Sequence, residues 1–221
     1  MRTAAFLAAA GIAFIAWSLD PAKVLAASDG SSITAVNGSV TAAPGKTYDT
    51  LSTVNGAVHV GSGVTANEAK TVNGHIEIEN DAKVGNASTV NGSLRIGEGV
   101  TIEHEASTVN GSLSLAKRAH VGGDVSTVSG AIDLEGAEVG GSLTTRNGNI
   151  DLTEGAHVRG NIVVKKKNDS GWNWGKDEPL KVHICSTCVV DGELRFERAV
   201  ELRVDTGARI GKVIGNEVKR L

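Results

Sequence analysis

Apolar side chains recur along this chain in pairs two residues apart, and the pairs return at intervals of about 18 residues. One series follows each copy of a Thr-Val-Asn-Gly tetrapeptide, as Val58 and Val60 do. A second series lies about six residues further on, as Val64 and Ala66 do. Two side chains at i and i+2 share one side of a strand, so each pair is typical of a short half-buried β-strand. The pattern therefore predicts an all-β chain.

The tetrapeptide itself marks the period. Near-perfect copies begin at Thr53, Thr71, Thr89 and Thr108, and degenerate copies begin at Ala35, Thr127 and Thr145. A third apolar series surrounds these copies, but its members are three residues apart, as in Leu51 and Val54. The register here is therefore open: either Val54 points inward, or Thr53 and Asn55 do. Glycine after asparagine is expected to supply the positive φ of a corner.

Three strand-like pairs in every period predict three short strands in each coil of backbone, which we call a rung. A fixed short repeat is the signature of a solenoid. Six extended residues span roughly 20 Å, so about 18 residues close a three-sided rung whose strands pair in parallel with the next. The low aromatic content of 3% suits stacked aliphatic strands better than a globular core. We expect one domain, a parallel β-helix of about nine rungs.

The chain divides into four segments by composition. Residues 1–27 resemble a secretory signal, with Arg2, an apolar run over residues 4–17, and cleavage expected after Ala26 or Ala27. Residues 28–164 carry the repeats, 165–180 form a polar non-periodic insertion, and 181–221 return to a six-residue period with a charged end. A periplasmic or secreted protein is expected, and an uncleaved N-terminal anchor is the alternative.

Two stretches carry a family resemblance. Residues 119–125 (Ala-His-Val-Gly-Gly-Asp-Val) and 155–162 resemble the Val-x-Gly corners of the bactofilin, or polymer-forming cytoskeletal, family. The recurring Thr-Val-(Asn/Ser)-Gly turns resemble the putative-adhesin group of secreted bacterial β-repeat proteins. The resemblance covers most of residues 35–210 and implies a right-handed helix with a non-enzymatic, assembling or surface role. Bactofilins are typically cytoplasmic, whereas this chain carries an export-like segment.

The polar insertion is a candidate binding site. Trp172 and Trp174 alternate beside Lys165, Lys166 and Lys167. Exposed indoles stack on sugar rings, and tryptophan with lysine suits a membrane interface. The alternative is that both rings fold back over an open side of the solenoid.

Cys185 and Cys188 form a C-x-x-C spacing after His183. In an oxidising compartment a disulfide is expected, and its short loop limits the stabilisation. Free thiols, a redox pair or a metal site are the alternatives. The sequence lacks the thioredoxin-like βαβ setting in which such a redox pair is found. Two cysteines with one histidine are also one ligand short of a structural zinc site.

Two outward columns contain residue types used in chemistry. His120, Glu138 and His157 precede the same valine on successive rungs, which is either a weak metal site or a solvated column. Asp133 and Asp151 stack with Glu135 alongside, as carboxylates do in β-helix lyases, although the same column also holds His59, Glu77, Arg95 and Ser114. A further alternative places the Thr and Asn columns outward as an array that matches ice or a crystalline polysaccharide.

These observations favour a non-enzymatic exported scaffold that self-associates end to end. An adhesin-like module for envelope glycan or membrane is the second hypothesis, and a polysaccharide lyase is the third. The formal net charge of −3 gives no reason to expect nucleic-acid binding. No cofactor is expected.

Overall fold

The computed structural model describes residues 30–166, 178–215 and 217–221, together with the backbone of a short strand at Val24–Leu25. Within this part of the chain every regular element is a β-strand. Strands of successive repeats lie side by side in parallel, as Val58–Val60 pairs with Ile76–Ile78. The predicted all-β parallel solenoid with a period of about 18 residues is therefore confirmed. It has about ten rungs, one more than the sequence indicated.

One face of the solenoid, the first face, is an eleven-stranded sheet. Its strands are β1 (Val24–Leu25), β3 (Val40–Ala42), β5 (Val58–Val60), β7 (Ile76–Ile78), β9 (Leu94–Ile96), β12 (Leu113–Leu115), β15 (Ile132–Glu135), β18 (Ile150–Thr153), β21 (Leu180–Ile184), β24 (Val200–Val204) and β27 (Val218–Arg220).

The second and third faces belong to one sheet of sixteen strands. Four long strands run through both faces: β2 (Ser31–Asn37), β4 (Thr47–Asn55), β6 (Thr65–Asn73) and β8 (Lys83–Asn91). Beyond β8 the sheet divides. The second face continues with β10 (Thr101–Ile102), β13 (His120–Val121), β16 (Glu138–Val139), β19 (His157–Val158), β22 (Val189–Val190) and β25 (Arg209–Ile210). The third face continues with β11 (Ala106–Asn110), β14 (Val125–Ser129), β17 (Leu143–Thr145), β20 (Ile162–Val164), β23 (Leu194–Phe196) and β26 (Val213–Ile214).

The core is a set of aliphatic columns that run along the axis. The predicted inward pairs of the first two faces are buried, as with Ile76 and Ile78 on the first face and Val84 on the second. Each buried aliphatic side chain supplies roughly 1.5–3 kcal/mol. Because side chains alternate along a strand, the residues between these pairs are held on the outer surface.

On the third face the threonine of the tetrapeptide, and not the valine, points inward. Thr53, Thr71 and Thr89 are only 3–4% exposed, whereas Val54 and Val72 are 41% exposed. The inward pair is therefore Leu51 with Thr53, two residues apart. Of the two alternatives left open by the sequence, an inward Val54 is wrong, and the other is right for Thr53 but not for Asn55, which is exposed. Burial of these three hydroxyls is possible because each donates to a glycine carbonyl of the preceding rung, as Thr71 Oγ1 does to Gly56 at 2.9 Å.

The asparagines stack on the outside of the corner. Each side-chain amide donates to the one before it, at 2.9 Å from Asn55 to Asn37, from Asn73 to Asn55, from Asn91 to Asn73 and from Asn110 to Asn91. The ladder ends at Asn110 because Ser129 occupies the next position and has no amide. An amide ladder thus forms as expected for stacked asparagines, but at exposed positions.

Glycine is required at most of these corners by crowding and not by a positive φ. Gly38 has the expected positive φ, at 116°, but Gly74 and Gly92 lie outside the left-handed region. A Cβ on Gly92 would overlap the carbonyl oxygen of Gly74 on the neighbouring rung. The close approach of two backbones therefore excludes any side chain here.

The insertion does not disturb the stacking. The strand before it, β20, pairs with β17, and the strand after it, β21, pairs with β18. The last residues also join the solenoid, since β27 pairs with β24. The additional rung relative to the prediction comes from β27, which the sequence suggested was only a charged end, and from β1, which lies in the segment read as a signal.

Candidate functional site

Most of the chemistry-bearing side chains lie on the outer surface of the first face. The middle residue of each strand there points outward and faces its equivalent on the next rung. The column so formed consists of Thr41, His59, Glu77, Arg95, Ser114, Asp133, Asp151, His183 and Arg203. The rigid sheet fixes the spacing of these groups at about 4.8 Å between rungs.

Asp133 and Asp151 face each other directly, as the sequence predicted. Burial, and then the charge of Asp151, raises the pKa of Asp133 above its usual value. Asp151 also pairs with His183, whose Nδ1 lies 2.8 Å from Asp151 Oδ1. His183 Nε2 lies 3.1 Å from Asp205 Oδ2, so that the imidazole bridges two carboxylates. The lyase-like pair is therefore in part neutralised by a histidine that sequence reasoning did not place beside it.

A groove of about 500 Å³ runs along one margin of this column. Glu79, Arg95, Asp133 and Glu135 contribute charged groups to its lining. Lys117 partly neutralises the acidic end, with Nζ 3.4 Å from Glu135 and 3.5 Å from Glu154. The charge of Glu154, together with a hydrogen bond to Glu135, raises the pKa of Lys117. The groove therefore has a mixed lining, with Arg95 between acidic groups.

His120, Glu138 and His157 do stack on successive rungs of the second face. Their side chains do not converge on one point, however. Arg159 Nε donates to Glu138 at 2.6 Å, and His157 Nε2 lies 2.7 Å from Asp191. His120 Nδ1 remains 3.6 Å from Glu138. His157 thus pairs with Asp191 and Glu138 pairs with Arg159, so that the arrangement is a series of separate surface contacts and not a shared site.

Cys185 and Cys188 are joined by a disulfide, with their Cα atoms 5.1 Å apart. Cys188 is buried in the inward column of the second face, and Cys185 packs against the core. The backbone N–H of Cys188 donates to the carbonyl of Cys185 at 3.0 Å, which closes a tight corner. The bridge covalently fixes the corner between β21 and β22.

The aromatic part of the predicted binding loop, Trp172 and Trp174, lies outside the described residues, as does Lys167. Lys165 and Lys166 are exposed where the insertion leaves the third face. Their backbone N–H groups are anchored, that of Lys165 to the carbonyl of Thr145 at 2.8 Å and that of Lys166 to Glu197 Oε2 at 3.1 Å. The insertion therefore begins from a fixed point on the solenoid.

The idea of an outward Thr and Asn array is wrong for the threonines, which are buried. The exposed column beside the asparagines consists of valines instead: Val36, Val54, Val72, Val90 and Val109. This column is apolar, and the neighbouring asparagine amides are largely engaged with one another. A hydroxyl lattice is therefore absent from this part of the described surface.

A group that sequence reasoning missed lies near the N-terminal end of the first face. Ligand atoms of His59, His75 and Glu77 all lie within 4.8 Å of one another. His59 and Glu77 were placed in the column, but His75 was not considered because it lies outside the central column. The available signal was its position two residues before Glu77, directly ahead of the strand Ile76–Ile78, which keeps the two side chains within reach of each other.

Within the described residues no helix has the length and apolar character needed to cross a membrane. Comparisons with protein-family models, with curated proteins and with solved structures gave no match.

Proposed function

We propose that this protein is a non-enzymatic structural or scaffolding β-solenoid of the cell envelope that assembles end to end. The observation that carries the proposal lies at the C-terminal rung. Within the described residues β25, β26 and β27 each pair with a strand on one side only. Their free edges carry unpaired backbone groups, which are a template for another strand.

The apolar columns also stop at this rung, and no strand of the described chain covers them. Ile210, Val213 and Val218 are partly exposed, whereas Val158 and Val190, in the same column as Ile210, are buried. A further rung stacked here would bury these side chains, at about 25 cal/mol per Å² of apolar surface. Both hydrogen bonding and burial therefore favour continuation of the solenoid.

The opposite end offers a matching edge. Among the strands that the structure describes, β2 pairs with β4 alone, and β1 covers the edge of β3. Removal of residues 1–27 as a signal would take β1 away and free that edge. Joining the C-terminal end of one copy to the N-terminal end of the next is a head-to-tail contact, which produces an open filament. The resemblance to polymer-forming β-helices supports the same assembly.

The test uses the chain from Ser28 to Leu221 over a range of concentrations. Light scattering should show that the mean particle mass increases with protein concentration. Electron microscopy should show rods whose lengths are multiples of the length of one solenoid. Ile210→Lys should keep the protein monomeric because it places a charge in the column at the stacking end. Val54→Lys is the control, since Val54 lies on the side of the rod.

Two outcomes contradict the proposal. One is a particle that stays monomeric at all concentrations. The other is loss of assembly in Val54→Lys with normal assembly in Ile210→Lys, which would indicate lateral association instead.

An exported location is part of the proposal. The disulfide between Cys185 and Cys188 supports it, because such bonds persist in oxidising compartments. N-terminal sequencing of the protein from a fractionated cell should find a start at Ala27 or Ser28 in the periplasm or the medium. A cytoplasmic chain that keeps residues 1–27 would contradict export.

A second candidate is an adhesin-like module that binds envelope glycan or membrane through the insertion. The anchored start of that insertion supports it, since a binding loop gains affinity when its base is preorganised. Arg198 also donates to the carbonyl of Glu178 at 3.3 Å, where the described chain resumes. Replacing Trp172 and Trp174 by Ala should abolish capture of envelope material and leave the melting temperature unchanged.

A further inference from the structure

We propose that His59, His75 and Glu77 form a binding site for a divalent transition-metal ion. The site lies on the first face, across β5 and β7, and is independent of the assembly proposed above. Its three ligand atoms lie within 4.8 Å of one another. Two imidazoles and one carboxylate are a donor set found in protein metal sites that leave a position for water.

The rung geometry brings the three groups together. His59 faces Glu77 directly on the adjacent strand, so their Cα atoms are about 4.8 Å apart. His75 lies directly before β7, two residues before Glu77, and its carbonyl accepts a hydrogen bond from the N–H of Val58, which holds it in register with the neighbouring rung. The three side chains therefore start from backbone positions close to one another, and small changes in their rotamers bring their ligand atoms together.

The distances match the size of an ion. Two ligands bound tetrahedrally at about 2.1 Å are separated by about 3.4 Å. His59 Nδ1 lies 3.4 Å from Glu77 Oε2. The rings of His59 and His75 are 5.4 Å apart between centroids and nearly perpendicular, at 78°. Small movements of His75 thus suffice to complete three bonds to one ion.

The surroundings leave room for this movement. Val58 donates to the carbonyl of His75, and Ile76 to that of Ser93, so that Ala57 and Ser93 flank His75 on the neighbouring rungs. Both side chains are small. By contrast, the backbone under the site is fixed, because Val58, Val60 and Ile76 are fully buried. The base is rigid and the side chains are adjustable, which is the requirement for a preorganised surface site.

The donor set selects the kind of ion. Imidazole nitrogen with one carboxylate suits Zn²⁺, Ni²⁺ or Cu²⁺, whereas Ca²⁺ and Mg²⁺ require mainly oxygen ligands. Arg95 faces Glu77 from the next rung and makes no ion pair within the described residues. Its positive charge opposes a bound cation, so we expect moderate affinity.

The experiment is a calorimetric titration of Zn²⁺ into the full, tag-free chain. One ion should bind per chain, and Ca²⁺ should give no comparable heat. His75→Gln should weaken Zn²⁺ binding by about tenfold or more, as loss of one of three ligands requires. The matched control is His120→Gln, because His120 also faces a glutamate but belongs to no group of three converging ligands in the part of the chain that the structure describes.

A second measurement distinguishes a loss of metal binding from a loss of folding in the variant. Co²⁺ bound by histidines and a carboxylate in a four-coordinate site gives visible absorption bands, which should be present in the parent chain and in His120→Gln but lost in His75→Gln. Circular dichroism should be the same for all three proteins without metal. If His75→Gln is misfolded, Glu77→Gln takes its place. Equal Zn²⁺ binding in the parent chain and in the ligand variant, or no Zn²⁺ binding at all, would overturn the proposal.

Discussion

His183 Nδ1 lies 2.8 Å from Asp151 Oδ1, and the two residues face each other on adjacent strands although 32 positions separate them. From β3 to β18 the equivalent separation on this face is 18 or 19, as between His59 and Glu77 or between Arg95 and Ser114. The insertion accounts for the difference. The strands on either side of the insertion both pair in register with the preceding rung, which places the imidazole of His183 next to a column of carboxylates.

The pairing of His183 with both Asp151 and Asp205, which we call the His183 clamp, should make the free energy of unfolding depend on pH. Burial alone lowers the pKa of His183, but hydrogen bonds and charge interactions with Asp205 and Asp151 outweigh burial and raise it. A raised histidine pKa stabilises the fold fully below the unfolded value of about 6.5, and this contribution is lost as the pH rises through the folded value. The hydrogen bond from His183 lowers the pKa of Asp205, whose contribution is lost as the pH falls below about 4.

His183→Gln should therefore lower the free energy of unfolding most between about pH 4 and 6.5, and less above that range. Urea denaturation of both proteins at pH 5 and at pH 9 measures the difference. His120→Gln serves as the control on another face. A deficit of His183→Gln that is the same at both pH values would contradict the clamp.

Asp133→Asn should stabilise the protein at neutral pH. Burial, followed by the charge of Asp151, raises the pKa of Asp133, so its ionised form opposes folding above that pKa. The increase in stability should vanish below about pH 3, where the Asp133 carboxyl is protonated in both the folded and the unfolded state. Thermal unfolding at pH 7 and pH 3 tests this. Glu135→Gln is the control: it removes the pairing with Lys117 and should give no gain.

The buried threonines allow a matched pair of substitutions. Thr89 Oγ1 donates to the carbonyl of Gly74 at 2.9 Å, whereas the fully buried Thr145 Oγ1 has no partner among the described residues. Valine has the same shape without the hydroxyl. Thr89→Val should cost about 1 kcal/mol, and Thr145→Val should be neutral or stabilising. Denaturant midpoints of the two variants measure this, and equal losses would contradict the assignment of the hydrogen bonds.

Two glycines should respond differently to alanine. A Cβ on Gly92 would overlap the backbone of Gly74, so Gly92→Ala should destabilise by about 3 kcal/mol or more, since the neighbouring rung must move. Gly63 has φ +67° and an open surrounding, so Gly63→Ala should cost about 1 kcal/mol from backbone conformation alone. Thermal unfolding compares them, and a similar small loss at both positions would contradict the crowding argument.

The candidate sites were only partly predictable. The column with Asp133 and Asp151 followed from the 18-residue period, because equivalent residues of successive rungs must face each other. The position of His183 beside Asp151 could not be predicted in the same way. The insertion interrupts the 18-residue period, so the sequence does not show which residue after it faces Asp151. The sequence also did not show that His157 pairs with Asp191 or that Glu138 pairs with Arg159. These contacts come from neighbouring corners, and they keep His120, Glu138 and His157 from forming one site.

The sequence by itself determined the all-β class, the 18-residue rung and the inward pairs of two faces, because alternation along a strand is a local property that apolar spacing records. It did not determine which side of the tetrapeptide is buried. Thr71 is stabilised inside by the carbonyl of Gly56 on the preceding rung, which lies 15 residues earlier in the chain. Contacts between rungs, such as that bond and the approach of His75 to His59, exist only once the rungs are stacked.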